Sequence, residues 1–128
     1  MAALPLDAQI TFLPVADLPR SAAFYEEALG LALMVDQGTC RIYRVAGDAF
    51  LGICTRPGAG PSVGVIVTLV SPAVDAWHRR LAAAGVEVVA APSFSETYRI
   101  YHAFYRDPDG HLVEIQEFAD PRWADPPA

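Results

Sequence analysis

Between Gln9 and Val15 the chain reads QITFLPV, a short apolar stretch of strand character, and Asp17-Leu-Pro-Arg-Ser then offers an acidic cap with a proline in the first turn of a helix. Phe24, Tyr25, Ala28 and Leu29 recur at helical spacing, so the helix is predicted to run to Leu29 and stop at Gly30, which adopts a left-handed conformation at little cost. Three strand candidates follow, 31–35, 39–45 and 49–54, separated by Gln37-Gly38 and Gly47-Asp48 turns. The turn-formers of Pro57-Gly-Ala-Gly-Pro-Ser62 interrupt this pattern, after which the same order begins again. A strand over 64–70 is followed by Ser71-Pro72 as cap and first turn of a second helix, with Val74, Trp77 and Leu81 at helical spacing and Gly85 as its stop. Strands are then predicted at 86–89, 98–105 and 111–118.

The repeated order is βαβββ twice, an internal duplication within one domain of 128 residues: module one at about 8–55, a linker at 56–62, module two at about 63–118 and an irregular tail at 119–128. In each half the helix covers one sheet face and leaves the other open. Two halves side by side would enclose a cavity, lined by alternate residues of each strand.

Composition narrows the classes of partner. With 53% hydrophobic and 19% charged residues the chain is globular in character, and no apolar run reaches the roughly 18–20 residues of a membrane span. The opening MAALPLD lacks a basic and then apolar leader, so the cytoplasm is the expected location. A net charge of −6 without a Lys/Arg cluster disfavours nucleic acid and anionic membrane as partners. Cys40 and Cys54, the only cysteines, are not in CxxC spacing and are expected to be reduced packing residues.

Two segments carry a family resemblance. Asp17-Leu-Pro-Arg-Ser-Ala-Ala-Phe-Tyr-Glu-Glu-Ala-Leu-Gly30 resembles the first-helix signature of the vicinal-oxygen-chelate superfamily, and Arg106-Asp-Pro-Asp-Gly-His-Leu-Val-Glu114 resembles its closing motif. The resemblance covers about residues 8–118. It implies an α+β fold in which two βαβββ modules form an open eight-stranded cup of the glyoxalase and bleomycin-resistance type, commonly assembled as a homodimer, which would also cover exposed sheet edges. Superfamily members include isomerases, ring-cleaving dioxygenases, thiol transferases and metal-free drug binders, so the reaction has to be argued from the site.

The resemblance also implies four cavity-facing metal-ligand positions. Here they fall on Ile10, Gly52, Gly64 and Glu114, of which only Glu114 can bind a cation. Gln9 is adjacent to Ile10, but strand alternation turns it to the other face. A cation held by one carboxylate would be weak and unselective, so neither a metal site nor another cofactor is expected.

Counting back from the Asp107-Pro-Asp-Gly110 turn, alternation aims Tyr98, Ile100, His102 and Phe104 at the cavity and Tyr101 and Tyr105 away from it. His102 and Glu114 are therefore the candidate catalytic or ligand-orienting pair. Phe12, Phe50, Ile66, Phe104 and Leu112 are expected to supply apolar lining, with Thr68, Gln116, Cys40 and Tyr98 as sparse polar ligand contacts. Asp107 and Asp109 are explained by turn geometry, and His78 and His111 are expected at surface or turn positions.

The function these observations favour is a metal-free protein that holds an apolar or aromatic organic molecule in the cup. The alternative is a glyoxalase-like lyase or isomerase, or another enzyme of the superfamily, using His102 and Glu114 as an acid/base pair or atypical metal ligands. A third reading is a self-filled cup that serves association through Tyr101 and Tyr105 on its outer face. Replacing His102 or Glu114 is expected to alter binding at little cost in stability.

Overall fold

The computed structural model describes residues 4–123, so the last five residues of the predicted irregular tail lie outside the described residues. Two compact units divide between Gly60 and Pro61. The first contains β1 (Gln9–Val15), α1 (Leu18–Ala22) continued by a π-helical segment (Ala23–Ala28), β2 (Ala32–Asp36), β3 (Cys40–Ala46) and β4 (Ala49–Thr55). The second contains β5 (Ile66–Val70), α2 (Val74–Ala83), β6 (Glu87–Ser95), β7 (Ile100–Arg106) and β8 (Leu112–Phe118). Each unit is one βαβββ module with one four-stranded mixed sheet, ordered β1-β4-β3-β2 and β5-β8-β7-β6. The first and last strands of each module pair in parallel, and the other pairings are antiparallel.

Alternation decides what each sheet buries. In the first unit Leu13, Val15, Tyr43, Leu51 and Ile53 form the covered face, and Phe24, Tyr25 and Leu29 come down on it from the helix. The predicted single α-helix gives way after Ala22 to π geometry, seen in the Leu29 N–H bond to the Phe24 carbonyl at 3.0 Å. That wider turn stacks residues five apart, which lets Phe24, Tyr25 and Leu29 share the buried side. Asp17 caps the helix through the Arg20 N–H at 3.0 Å, and Gly30 turns out of it at φ 70°.

In the second unit Val74 and Leu81 of α2 cover Ala103, Tyr105, Val113 and Ile115. The helix begins two residues later than the sequence predicts. Ser71 Oγ accepts from the Ala73 N–H at 3.0 Å, so the hydroxyl closes a turn ahead of the helix. Strand β6 continues through Pro92 to Ser95, well past the expected 86–89. It lies at the sheet edge and its register shifts twice against β7, which accommodates a residue that cannot donate to the ladder.

Three expectations are corrected here. Cys40 and Cys54 are joined as a disulfide across β3 and β4, because the ladder register places them directly opposite. Tyr105 is not a free outer-face residue: it is fully buried and shares a 2.9 Å hydrogen bond with Nδ1 of His78, while the half-buried Tyr101 donates to Asp75 Oδ1 of α2 at 2.6 Å. The open sheet face is the opposite one, since the helix occupies theirs. Finally, Tyr98 precedes β7 in a turn where the Arg99 N–H bonds the Ser95 carbonyl and Arg99 takes φ 55°, so strand alternation stops at Ile100.

Burial pushes both Tyr43 and Tyr105 from 10 up to about 12, with Glu26 adding to the first effect and Asp75 to the second. Above pH 10 the unfolded chain releases these protons while the folded chain retains them, so stability should fall as pH rises from about 10 and level off beyond about 12. Denaturant titrations across that range should show the fall, and Tyr105→Phe should lessen its slope. In contrast, Val113→Ala and Ile115→Ala should each cost about 1–4 kcal/mol at neutral pH by leaving space under α2.

Candidate functional site

Strand β8 runs between β5 and β7, so the residues on its open face have neighbours on both sides. Glu114 lies opposite Thr68 of β5 and Phe104 of β7, while Gln116 lies opposite His102. The strand register therefore gathers three polar side chains around one carboxylate. Thr68 Oγ1 donates to Glu114 Oε1 at 2.8 Å, and His102 Nδ1 approaches Oε2 at 2.6 Å. With its amide nitrogen turned toward Glu114, Gln116 donates to Oε2 at 3.0 Å and to Oε1 at 3.2 Å.

Glu114 and Gln116 are buried, and the His102 side chain is 17% exposed. A carboxylate facing these donors offers only acceptors, which assigns the Nδ1 proton to His102 and leaves Nε2 as the imidazole's remaining polar atom. Phe104 meets the imidazole edge to face at 5.0 Å between ring centres. Around this network is a recess of about 430 Å³, walled by Ile66, Ile100, Phe104 and Phe118, with the 71% exposed Tyr98 at its rim. Trp123 stacks behind Phe118 at 4.2 Å, which gives the start of the tail a packing role.

The structure thus brings together His102, Glu114, Ile66, Thr68, Phe104 and Gln116, with Tyr98 reaching the same recess from its turn. It does not gather the whole predicted set. Leu112 is at the start of β8, opposite Ile66 and Arg106 and outside the recess lining. Phe12 and Phe50 belong to the first unit, where Phe12 lines a recess of that unit and Phe50 lies under the Arg44 guanidinium, 5.4 Å from the ring centre. Ile100 lines the second-unit recess, on the face that alternation gave it, and Phe118 joins it although the sequence reading did not name it. Their signal was already present, because they share strand alternation with His102 and Glu114.

The residues present do not fit the superfamily's metal. Glu114 has both oxygens engaged by Thr68, His102 and Gln116. Gly64 stands ahead of β5 at φ 78°, without a side chain. In the first unit Ile10 offers no donor, and the Phe12 ring occupies the space into which any side chain at Gly52 would project. A different group of possible ligands, Asp107, Asp109 and His111, lies buried in the turn before β8 with its ligand atoms within 4.8 Å of one another. These groups already hold that turn: Asp107 Oδ1 accepts from the Asp109 and His111 N–H groups at 3.0 and 2.8 Å, and His111 Nδ1 accepts from Ser62 N–H at 3.1 Å. His111 thus holds the turn position expected of it but is buried there, while His78 is half-buried against Tyr105 on α2.

Paired βαβββ modules with a surviving carboxylate on the last strand define a class of fold. The profile of the Glyoxalase/Bleomycin resistance protein/Dioxygenase superfamily matches residues 8–115, and the chain belongs to that superfamily. Similar solved structures include a glyoxalase-related enzyme from Fulvimarina pelagi, with 23% identity, TM-score 0.73 and coverage of 89% of this chain and 88% of that one. A glyoxalase/bleomycin resistance protein/dioxygenase from Nocardioides has 20% identity and TM-score 0.71, with 94% and 88% covered. A family enzyme from Burkholderia phytofirmans PsJN has 19% identity and TM-score 0.73, with 88% and 98% covered. At these identities the likeness is one of fold. No curated protein sequence matches the chain.

The geometry revises the stability expected at Glu114. Glu114→Ala should cost about 1–3 kcal/mol, because it leaves Thr68, His102 and Gln116 without their shared acceptor, whereas Phe118→Leu should cost less than half as much. Urea unfolding of the two variants would check the difference.

Proposed function

We propose that the second-unit recess binds a small, largely apolar organic molecule with aromatic character, without a metal, and that one polar group of the ligand pairs with His102. The observation that carries this reading is the Glu114 carboxylate, whose oxygens are engaged by three side chains of the protein itself within an otherwise apolar wall. Such a carboxylate orients His102 and is poorly placed to recruit a cation. Ile66, Phe104 and Phe118 supply the apolar and aromatic surface for the ligand's body. The chain is proposed to act in the cytoplasm as a homodimer, for which light scattering at tens of micromolar should give twice the mass of the chain.

Titration with p-cresol should shift the NMR signals of Phe104 and Phe118, and His102→Phe should weaken binding several-fold while the recess remains. Zinc or nickel ions should leave the His102 and Glu114 signals unchanged. About one tightly held metal per chain, lost on Glu114→Ala, would overturn the metal-free reading.

A second reading has an observation of its own. The 2.6 Å contact of His102 Nδ1 with Glu114 is the arrangement that fixes an imidazole for proton transfer at its other nitrogen. On that reading the protein is a lyase or isomerase acting on a weakly acidic C–H. Metal-free protein should then speed isomerisation of the hemithioacetal formed from methylglyoxal and a small thiol, and His102→Asn should remove the gain.

A further inference from the structure

The first unit holds a second recess, of about 590 Å³, lined among others by Phe12, Gln37, Cys40, Cys54 and Arg56. Cys40 and Cys54 face each other at a close position of the β3–β4 ladder: their Cα atoms are 4.1 Å apart, and the Thr55 N–H bonds the Thr39 carbonyl beside them at 2.9 Å. The ladder itself imposes this proximity. On the other face of the same strands, Tyr43, Leu51 and Ile53 are buried under the helix, so the sheet has a core that does not depend on the crosslink.

Both cysteines are half-buried and line an open recess, where a small reagent can reach them. Arg56 lines the same recess, is exposed, and forms no ion pair among the described residues. Asp36, which precedes Gln37 of the lining in the chain, accepts from Gly38 N–H at 2.9 Å and lies 3.7 Å from Arg41 Nε. A guanidinium lining the same recess as a cysteine pair, without a carboxylate partner among the described residues, attracts anions from solution toward that recess.

We infer that Cys40 and Cys54 form a reversible thiol–disulfide exchange site for small carboxylate-bearing thiols, with Arg56 as the charge that selects them. In the reducing direction the incoming thiolate attacks one cysteine sulfur, the S–S bond breaks, and its electron pair leaves on the other cysteine as a thiolate. A second small thiolate then attacks the small-thiol sulfur of the mixed disulfide, the bond to the cysteine breaks with its electron pair leaving on that cysteine, and the two small thiols depart as their disulfide. One protein disulfide and two small thiols thus become two protein thiols and one small disulfide, with both thiol protons ending on the cysteines. The reverse reaction uses the small disulfide as oxidant.

The test uses the full chain, treated with oxidised 2-mercaptoethanol and then with 3-mercaptopropionate, 2-mercaptoethanol or cysteamine at equal thiolate concentration. Alkylation with iodoacetamide and intact mass count the thiols released. The disulfide should open with the far-ultraviolet circular dichroism unchanged, and 3-mercaptopropionate should react roughly three to ten times faster than cysteamine. Arg56→Gln should bring that ratio close to one, and Arg56→Lys should restore it. Cysteines that remain fully alkylatable after the oxidant, a disulfide that opens only in denaturant, or equal rates for the three thiols in the unaltered protein would each overturn the proposal.

Discussion

Each sheet is covered by a helix on one face only, and the placement of the candidate site residues on its strands depends on that constraint. Side chains on a strand alternate between faces, so a residue on a central strand either joins the core under the helix or lies on the open face. Val113 and Ile115 take the first course on β8, and Glu114 and Gln116 take the second. Glu114 is buried even so, because strands on both sides of it place Thr68 and His102 within hydrogen-bonding distance. An edge strand could not have assembled that network.

The two units apply one architecture to different chemistry. In the second, the open face centres on a carboxylate with three donors, a group whose disruption leaves several polar atoms unpaired. In the first, the corresponding strand β4 has Gly52 beneath the Phe12 ring and Cys54 paired with Cys40. Where relatives with a metal would need an acidic side chain, this chain has an aromatic ring resting on the backbone. Duplication preserved the scaffold of strands and helices while the open faces diverged, since packing under the helix constrains residue type more tightly than the open face does.

The helix-facing networks carry another consequence. Tyr105 is tied to His78 and Tyr101 to Asp75, so both aromatic residues fasten α2 to its sheet. Glu26 does the same in the first unit by accepting from both Tyr43 and Arg41, at 2.9 and 3.0 Å.

The duplicated order of elements and the strand alternation that unites His102, Phe104 and Glu114 were legible in the sequence, because period-two patterning and turn residues are local signals. Glycines at 30 and 85 marked the helix stops for the same reason, each taking a positive φ that other residues adopt at a cost. Only the tertiary structure decided that α1 passes into π geometry, that Tyr98 leaves the strand, that Pro92 is tolerated on an edge, and that Cys40 meets Cys54. It also decided that Thr68 and Gln116 serve Glu114 as partners. Each of these depends on which strands become neighbours and in what register, and contacts between residues tens of positions apart leave no periodic trace along the chain.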